Sequence, residues 1–302
     1  MSGKQAMYIE LQIRINPEIE DIVSDFCFEN LPCEGVLLAE ETYKDLEMVA
    51  TTEGTLKVFL TEDPENLSDI LSQERELLKS RGLSDEELGS WDFVISNKPN
   101  EDWSKKWKEK WDITRVTDKI VIVPDWLEYD DKEGEVVIRL EPGCAFGTGT
   151  HQTTQLCMKA IEKYMQTGAK VADIGMGSGI LAICSKKFGA SCVYGCDNDE
   201  TVIDVAKENA LKNHTECVFE LNTADKINEK FDFVLANILH NVLAEIMGDL
   251  KAIMNDGAYM VLSGILDEKK PVVLEAVKKH NLHLIEEVHQ DQWVALIVRK
   301  VD

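Results

Sequence analysis

Residues 8–15 alternate apolar and polar side chains, the pattern of a strand with one buried face. From Pro17 the period lengthens. Ile19, Ile22, Val23, Phe26 and Leu31 fall at helical spacing, and the proline stands where a helix can begin. Residues 35–39 and 55–60 read as strands. Residues 66–79 read as a helix with Leu67, Ile70, Leu71, Leu77 and Leu78 toward a core, and residues 91–96 as a fourth strand. The order β-α-β-β-α-β is that of a ferredoxin-like domain. It holds no glycine loop, no pair of catalytic groups and no metal-ligand spacing, so it reads as a binding module.

Residues 98–112 read as a connecting helix, with Asn100 as its cap, acids in its first turn and lysines after them. Trp103, Trp107 and Trp111 share one face of it. Such a stripe is either a platform for a ligand or, the commoner use, a packing surface. Residues 119–124 and 136–140 look like a strand pair that leads into a loop rich in glycine and hydroxyls, followed by a helix near Thr153. Hydroxyls and free amides at a helix start can grip a carboxylate. Thr153 or Thr154 equally suits a plain cap.

Beyond that loop, apolar runs over 171–174, 191–196, 217–221, 231–236 and 259–263 alternate with helical segments. These segments cover 180–187, 198–212, a stretch ending near Met254, and 268–280. Residues 282–288 and 293–299 end the chain as an antiparallel hairpin. The pattern predicts an α/β fold, a doubly wound and mostly parallel sheet with one antiparallel strand.

At 302 residues, 44% hydrophobic and 29% charged, the chain has room for two globular domains. Its 32 basic and 56 acidic residues give a net charge of −24. With no basic stripe, direct nucleic-acid binding is not expected, whereas a basic protein partner is favoured. An acidic surface that only aids solubility has the same composition. Eight cysteines are scattered, without C-x-x-C or zinc spacing, and Cys184, Cys192 and Cys196 lie in core segments, as in a reducing cytoplasm. Residues 1–11 carry no apolar signal region, and no run approaches the ~20 apolar residues a membrane span needs. A cytoplasmic protein without membrane contact is expected.

The chemistry concentrates in residues 170–199. A buried strand over 171–174 runs into Gly175, Gly177 and Gly179, which make a turn, and the next strand stops at Asp197. This is half of a nucleotide-binding βαβ unit. Its glycines let backbone approach a ligand, and the acid can hold a ribose diol. A dinucleotide site wants G-x-G-x-x-G, but Ile180 takes the place of the last glycine. Asp173 adds a carboxylate where a dinucleotide would bring an anionic pyrophosphate. That charge suits a cationic ligand such as S-adenosylmethionine, with its ammonium and sulfonium groups. Alone, G-x-G-x-G is also the pattern of an ordinary tight turn.

Three motifs stand in order: Pro142-Gly-Cys-Ala-Phe-Gly-Thr-Gly-Thr-His151-Gln-Thr-Thr154, Asp173-Ile-Gly-Met-Gly-Ser-Gly179 and Ala236-Asn-Ile-Leu239. They resemble those of the bacterial methyltransferases of large-ribosomal-subunit protein 11, the PrmA family, and the resemblance spans nearly the whole chain. It implies a ferredoxin-like substrate-recognition domain over 1–98, a linker helix over 99–118 and a class I, Rossmann-like methyltransferase domain over 119–302. It implies S-adenosylmethionine contacts at Thr154, Gly175, Asp197 and Asn237, joined by Asp173 and Gly177. Asp225 is a candidate for the adenine amino group, or a solvated loop acid. The chain departs from the family pattern with Gln152 for proline, Met176 for cysteine, and His240-Asn-Val for smaller residues.

The implied reaction moves methyl groups to lysine side-chain or N-terminal amines of a ribosomal protein. In-line displacement depends on positioning. A lysine, with a reference pKa near 10.4, must be neutral to attack, and an apolar pocket beside a sulfonium disfavours its charged form. Asn237 can accept an amine hydrogen on its side-chain oxygen and so aim the nitrogen lone pair. A neutral oxygen also permits successive methylations. His151 and His240 are candidate proton acceptors, although a histidine beside a glycine loop is more often a structural hydrogen bonder. The alternatives are a methyltransferase for another protein or a small molecule, a non-catalytic assembly factor that keeps the fold as a scaffold, and a dinucleotide oxidoreductase. Retention of Thr154, Asp197 and Asn237 argues against the scaffold.

Overall fold

The computed structural model of the chain describes residues 7–39, 54–64, 66–99, 112–140 and 149–301. These pack as two units, Met1–Asp112 and Ile113–Asp302. The expected face of Trp103, Trp107 and Trp111, and residues 141–148 of the glycine- and hydroxyl-rich loop, lie outside the described residues.

In the first unit, strands β1 (Met7–Ile15), β2 (Cys33–Ala39), β3 (Gly54–Leu60) and β4 (Phe93–Pro99) form an antiparallel sheet in the order β2-β3-β1-β4. Helices α1 (Glu20–Asn30) and α2 (Leu67–Ser80) occupy the two crossovers, which makes the ferredoxin-like arrangement. Alternation does the work the sequence predicts. Leu11, Ile13 and Ile15 of β1 and Leu56, Val58 and Leu60 of β3 are buried, as are Val23, Leu71 and Leu78 of the helices. Asn16 caps the start of the first crossover by accepting from the Glu18 amide at 3.0 Å, with Pro17 next in line.

Two details differ from the sequence reading. A four-residue helix, α3 (Asp85–Leu88), follows α2, held by a capping box between Ser84 and Glu87. Lys98 and Pro99 belong to β4 and not to a helix, because they pair with Tyr8 and Met7 of β1. Pairing with β1 extends the strand through the two residues that precede the expected cap, Asn100.

The second unit starts with a three-stranded sheet. Strand β5 (Thr114–Arg115) lies antiparallel to β6 (Ile120–Pro124), and β7 (Val136–Leu140) lies parallel to β6. The main sheet contains β8 (Lys170–Ile174), β9 (Cys192–Asp197), β10 (Val218–Leu221), β11 (Phe231–Asn237), β12 (Met254–Leu266), β13 (Leu282–Gln290) and β14 (Trp293–Lys300). Its order is β10-β9-β8-β11-β12-β14-β13, and β14 runs antiparallel to both of its neighbours. The doubly wound, mostly parallel sheet with one antiparallel strand is therefore present.

Helices α4 (Gln152–Tyr164), α5 (Ile180–Lys187) and α6 (Glu200–Lys212) share one core with the sheet, through residues such as Leu156, Ile183, Val202 and Phe233. The short helices α7 (His240–Glu245) and α8 (Met247–Ala252) and helix α9 (Lys270–Lys279) supply the other core, with Leu243, Met247 and Val273. Where one helix to Met254 was expected, the chain breaks at Ile246, and Met254 already opens β12, paired with Phe231. Strand β12 is thus far longer than the expected 259–263. The terminal hairpin turns on Asp291-Gln292 alone, since Gln290 pairs with Trp293.

Candidate active site

Strand order reverses between β8 and β11, which are neighbours in the sheet although β9 and β10 intervene in sequence. Open α/β sheets bind ligands at the carboxyl ends of strands at such a switch point. Two of the sequence motifs lie there: the glycine turn follows β8, and Asn237 ends β11.

Gly175, Gly177 and Gly179 adopt φ values of +69°, +49° and +75°, a backbone that side-chained residues rarely accept. At Gly175 space forbids a side chain as well, because a Cβ would stand 2.4 Å from Ile238 Cγ2. The turn is tied down from three sides. The Gly175 and Met176 amides donate to the Cys196 carbonyl at 2.9 and 3.1 Å, and the Gly177 amide donates to Asp197 Oδ2 at 3.0 Å. Asn209 of α6 donates to the Ser178 carbonyl at 3.0 Å. Met176 is buried in the core beside Gly195.

Asp197 accepts from the Gly177 and Asp199 amides, the latter at 3.1 Å. Burial pushes its carboxyl up, against those amides. The Asn198 amide also faces it, and its remaining lone-pair capacity is open to other donors. Asp173 is fully buried. Its Oδ2 accepts from the Ala182 amide at 3.0 Å, and its Oδ1 has no hydrogen-bond partner among the described residues. Burial pushes this carboxyl up to about 7, and the nearby Asp197 adds to the effect. No lysine, arginine or histidine neutralises either acid among the described residues.

Thr153 and Thr154, both buried, sit in the first turn of α4. Neither caps it. His151 is the cap, with Nδ1 accepting from the Thr153 amide at 3.3 Å and lying 2.7 Å from Thr153 Oγ1. The His151 ring meets Trp293 edge-on, with centroids 4.9 Å apart. Thr154 Oγ1 is left to accept from Asn237 Nδ2 at 3.4 Å. That bond orients the amide and leaves Asn237 Oδ1 buried without a partner among the described residues. His240 opens α7, half-buried. Asp225 lies exposed in a 3₁₀ turn beyond β10, with no hydrogen bond or ion pair engaging it among the described residues. The structure thus joins Thr154 to Asn237 and Gly177 to Asp197, sets Asp173 behind the turn, and places Asp225 in a loop that begins at Asn222, whose amide donates to the Asp197 carbonyl at 2.9 Å.

These features fit S-adenosylmethionine. Two acids without a cationic partner suit a ligand with an ammonium and a sulfonium and disfavour an anionic pyrophosphate. Two buried oxygens, Asp173 Oδ1 and Asn237 Oδ1, await a donor or a cation, and the glycine turn lets backbone come close. Sequence reasoning missed His151 as a cap and Asn209 as an anchor. Asn209 was detectable, since it is a polar residue on the buried stripe of Val202, Ala206 and Ala210.

Comparison with known proteins agrees with this geometry. The sequence model for "Ribosomal protein L11 methyltransferase (PrmA)" matches residues 7–301. The chain is 39% identical over 227 residues to a protein of that name from Listeria monocytogenes serotype 4b, covering 74% of this chain and 72% of the relative. It is 32% identical over 311 residues to one from Macrococcus caseolyticus, covering 97% and 99%. A crystal structure of ribosomal protein L11 methylase from Lactobacillus delbrueckii subsp. bulgaricus superposes with a TM-score of 0.61 at 31% identity, over 64% of this chain and 100% of that one.

Proposed function

Because the chain belongs to the ribosomal protein L11 methyltransferase family, we infer that it methylates amines of ribosomal protein L11, using S-adenosylmethionine, with Asn237 aiming the acceptor nitrogen. The observation that supports this most directly is Asn237 itself. Its amide nitrogen is held by Thr154, and its oxygen is buried and unpartnered among the described residues.

When bound, the cofactor supplies a methyl group on an electrophilic sulfonium. The chain does the rest. Asp197 offers its remaining acceptor capacity to the ribose diol, and the Gly175–Gly177 turn admits the methionine portion. Asp173 compensates the cofactor's ammonium directly, through water or through the loop amides. Asn237 Oδ1 accepts a hydrogen from a neutral amine, which points the nitrogen lone pair away from that bond. An amide oxygen accepts equally well from a primary or a secondary amine, so it does not stop the reaction after one methyl group. Incubation of L11 with the protein and labelled cofactor, followed by mass spectrometry, should place methyl groups on lysine or N-terminal amines. Label absent from L11 overturns the acceptor assignment.

Asp197→Ala should weaken cofactor binding by about 1.5–3 kcal/mol, the scale of hydrogen bonds to a charged group. Unchanged affinity by calorimetry in the folded variant removes Asp197 from the site.

Residues 1–98 act as the substrate-docking domain in this reading and hold none of the cofactor motifs. They carry 8 basic and 22 acidic residues, a charge that attracts a basic acceptor protein and repels nucleic acid. With a Debye length near 8 Å at about 0.15 M salt, the attraction is strongly screened. KM for L11 should rise with salt while kcat holds. A salt-independent KM would mean that the acidity is ordinary surface charge. A cytoplasmic location agrees with the seven free cysteines among the described residues, none of whose helices is long and apolar enough to cross a membrane.

A further inference from the structure

Strand β12 is irregular at one place. Its pairing with β14 breaks after Leu262 and resumes at Ile265, so Ser263-Gly264 forms a bulge. On the opposite edge Ser263 pairs with Asn237 of β11. A bulge beside a site re-aims what the strand carries.

The Ser263 side chain is fully buried. Its hydroxyl donates to the Thr153 carbonyl at 3.1 Å and stands near the Cys157 thiol, one helical turn further along α4. Both contacts fall on the first turns of the helix that presents Thr154. Gly264 acts through its backbone. At φ +80°, a Cβ there would stand 2.4 Å from the Ile238 carbonyl oxygen and 2.9 Å from its carbon. The β12 main chain therefore lies directly against the backbone of Ile238, the residue after Asn237. Two adjacent residues thus touch the chain neighbours of the two partners of the Asn237–Thr154 hydrogen bond, Ser263 the Thr153 carbonyl by its side chain and Gly264 the Ile238 backbone by its lack of one.

We propose that the Ser263-Gly264 bulge is a positioning device for methyl transfer, setting where Thr154 stands relative to Asn237 and hence how Asn237 Oδ1 meets the acceptor amine. This rests on the reading of Asn237 as the amine-aiming residue. Ser263 and Gly264 make no contact with the reacting atoms in this scheme. They act through the pair they hold.

The test uses full-length enzyme with L11 as acceptor, and counts active sites by S-adenosylmethionine binding so that unfolded protein does not enter kcat. Ser263→Ala should lower kcat about tenfold with KM for L11 unchanged, since small misplacements near the reacting atoms cost rate before affinity. Ser185→Ala serves as control. It removes an equally buried hydroxyl bonded to the Leu181 carbonyl at 2.8 Å, away from the pair, and should keep full kcat. In an Asn237→Ala background, Ser263→Ala should add less than about a twofold loss, because residues acting as one unit are not additive. Wild-type kcat in Ser263→Ala, or an equal loss in both backgrounds, overturns the proposal while leaving Asn237 in place. A wild-type rate in Asn237→Ala alone overturns the amine-aiming role and this inference with it. If Ser263→Ala binds no cofactor, Ser263→Cys, of similar shape with a weaker donor, takes its place under the same criteria.

Discussion

Asn237→Ala should lower turnover by about 100- to 1,000-fold while leaving S-adenosylmethionine affinity within about threefold, the range seen when a single placed hydrogen-bonding group is removed from a reaction centre. Two features put the effect on kcat. The Asn237 amide nitrogen is already bonded inside the protein, to Thr154 Oγ1. Its oxygen is the group left without a partner among the described residues, so its use comes when the acceptor arrives. Alanine removes that acceptor and also frees the Thr154 hydroxyl. Thr154→Ala should therefore share part of the defect, because the amide then loses the bond that orients it. Steady-state kinetics with L11, alongside calorimetry of cofactor binding, separates the two effects. A cofactor affinity that falls as far as turnover would move Asn237 from the acceptor side to the cofactor side of the site.

The second large effect concerns Asp173. Its carboxyl titrates near 7 in the folded chain against a reference of 3.8, chiefly through burial. A cationic ligand binds the ionised form. S-adenosylmethionine affinity should therefore rise by up to about tenfold per pH unit below 7, flatten above it, and be accompanied by proton release in the lower range. Stability has the opposite sign. The folded state holds the proton more tightly than the unfolded state. The stability this provides is fully present below about pH 4 and is lost as the pH rises through about 7, amounting to about 4 kcal/mol. Asp173→Asn keeps an acceptor for the Ala182 amide and carries no charge. At about pH 8 it should melt higher than the wild type yet bind cofactor about 10- to 100-fold more weakly, with little pH dependence left. Calorimetry and melting curves between about pH 5.5 and 8.5 check both halves. Cofactor affinity that does not change with pH would mean that Asp173 keeps one protonation state throughout.

A buried acid without a cationic partner costs stability, and it persists where function uses it. The same carboxylate was already anomalous in the sequence, an aspartate at the end of an otherwise apolar strand. The glycine turn was legible as well, because positive φ at three alternate positions asks for glycine whatever surrounds it. Strand and helix order followed from alternation in the first domain, apolar runs and helical periods in the second, and a short link that marks the single antiparallel strand of the large sheet.

The misses have a common cause. Lys98 and Pro99 fall within the expected connecting helix although they precede its cap, Asn100, and pairing with Tyr8 and Met7 draws them into β4. Thr153 and Thr154 look like caps, yet His151 takes that role and frees the Thr154 hydroxyl for Asn237. The length of β12 and its bulge follow from pairing with β11 and β14, and no periodicity announces either.

What the sequence determined alone was local: which segments alternate, where glycine must turn the chain, and which acid ends which strand. Each depends on a residue and its immediate neighbours. Tertiary structure decided that Asn237 meets Thr154, 83 residues away, and that Ser263 holds Thr153 across 110. Those contacts depend on strand register and on one bulge. A shift of a single residue in register would turn each side chain to the opposite face and undo them.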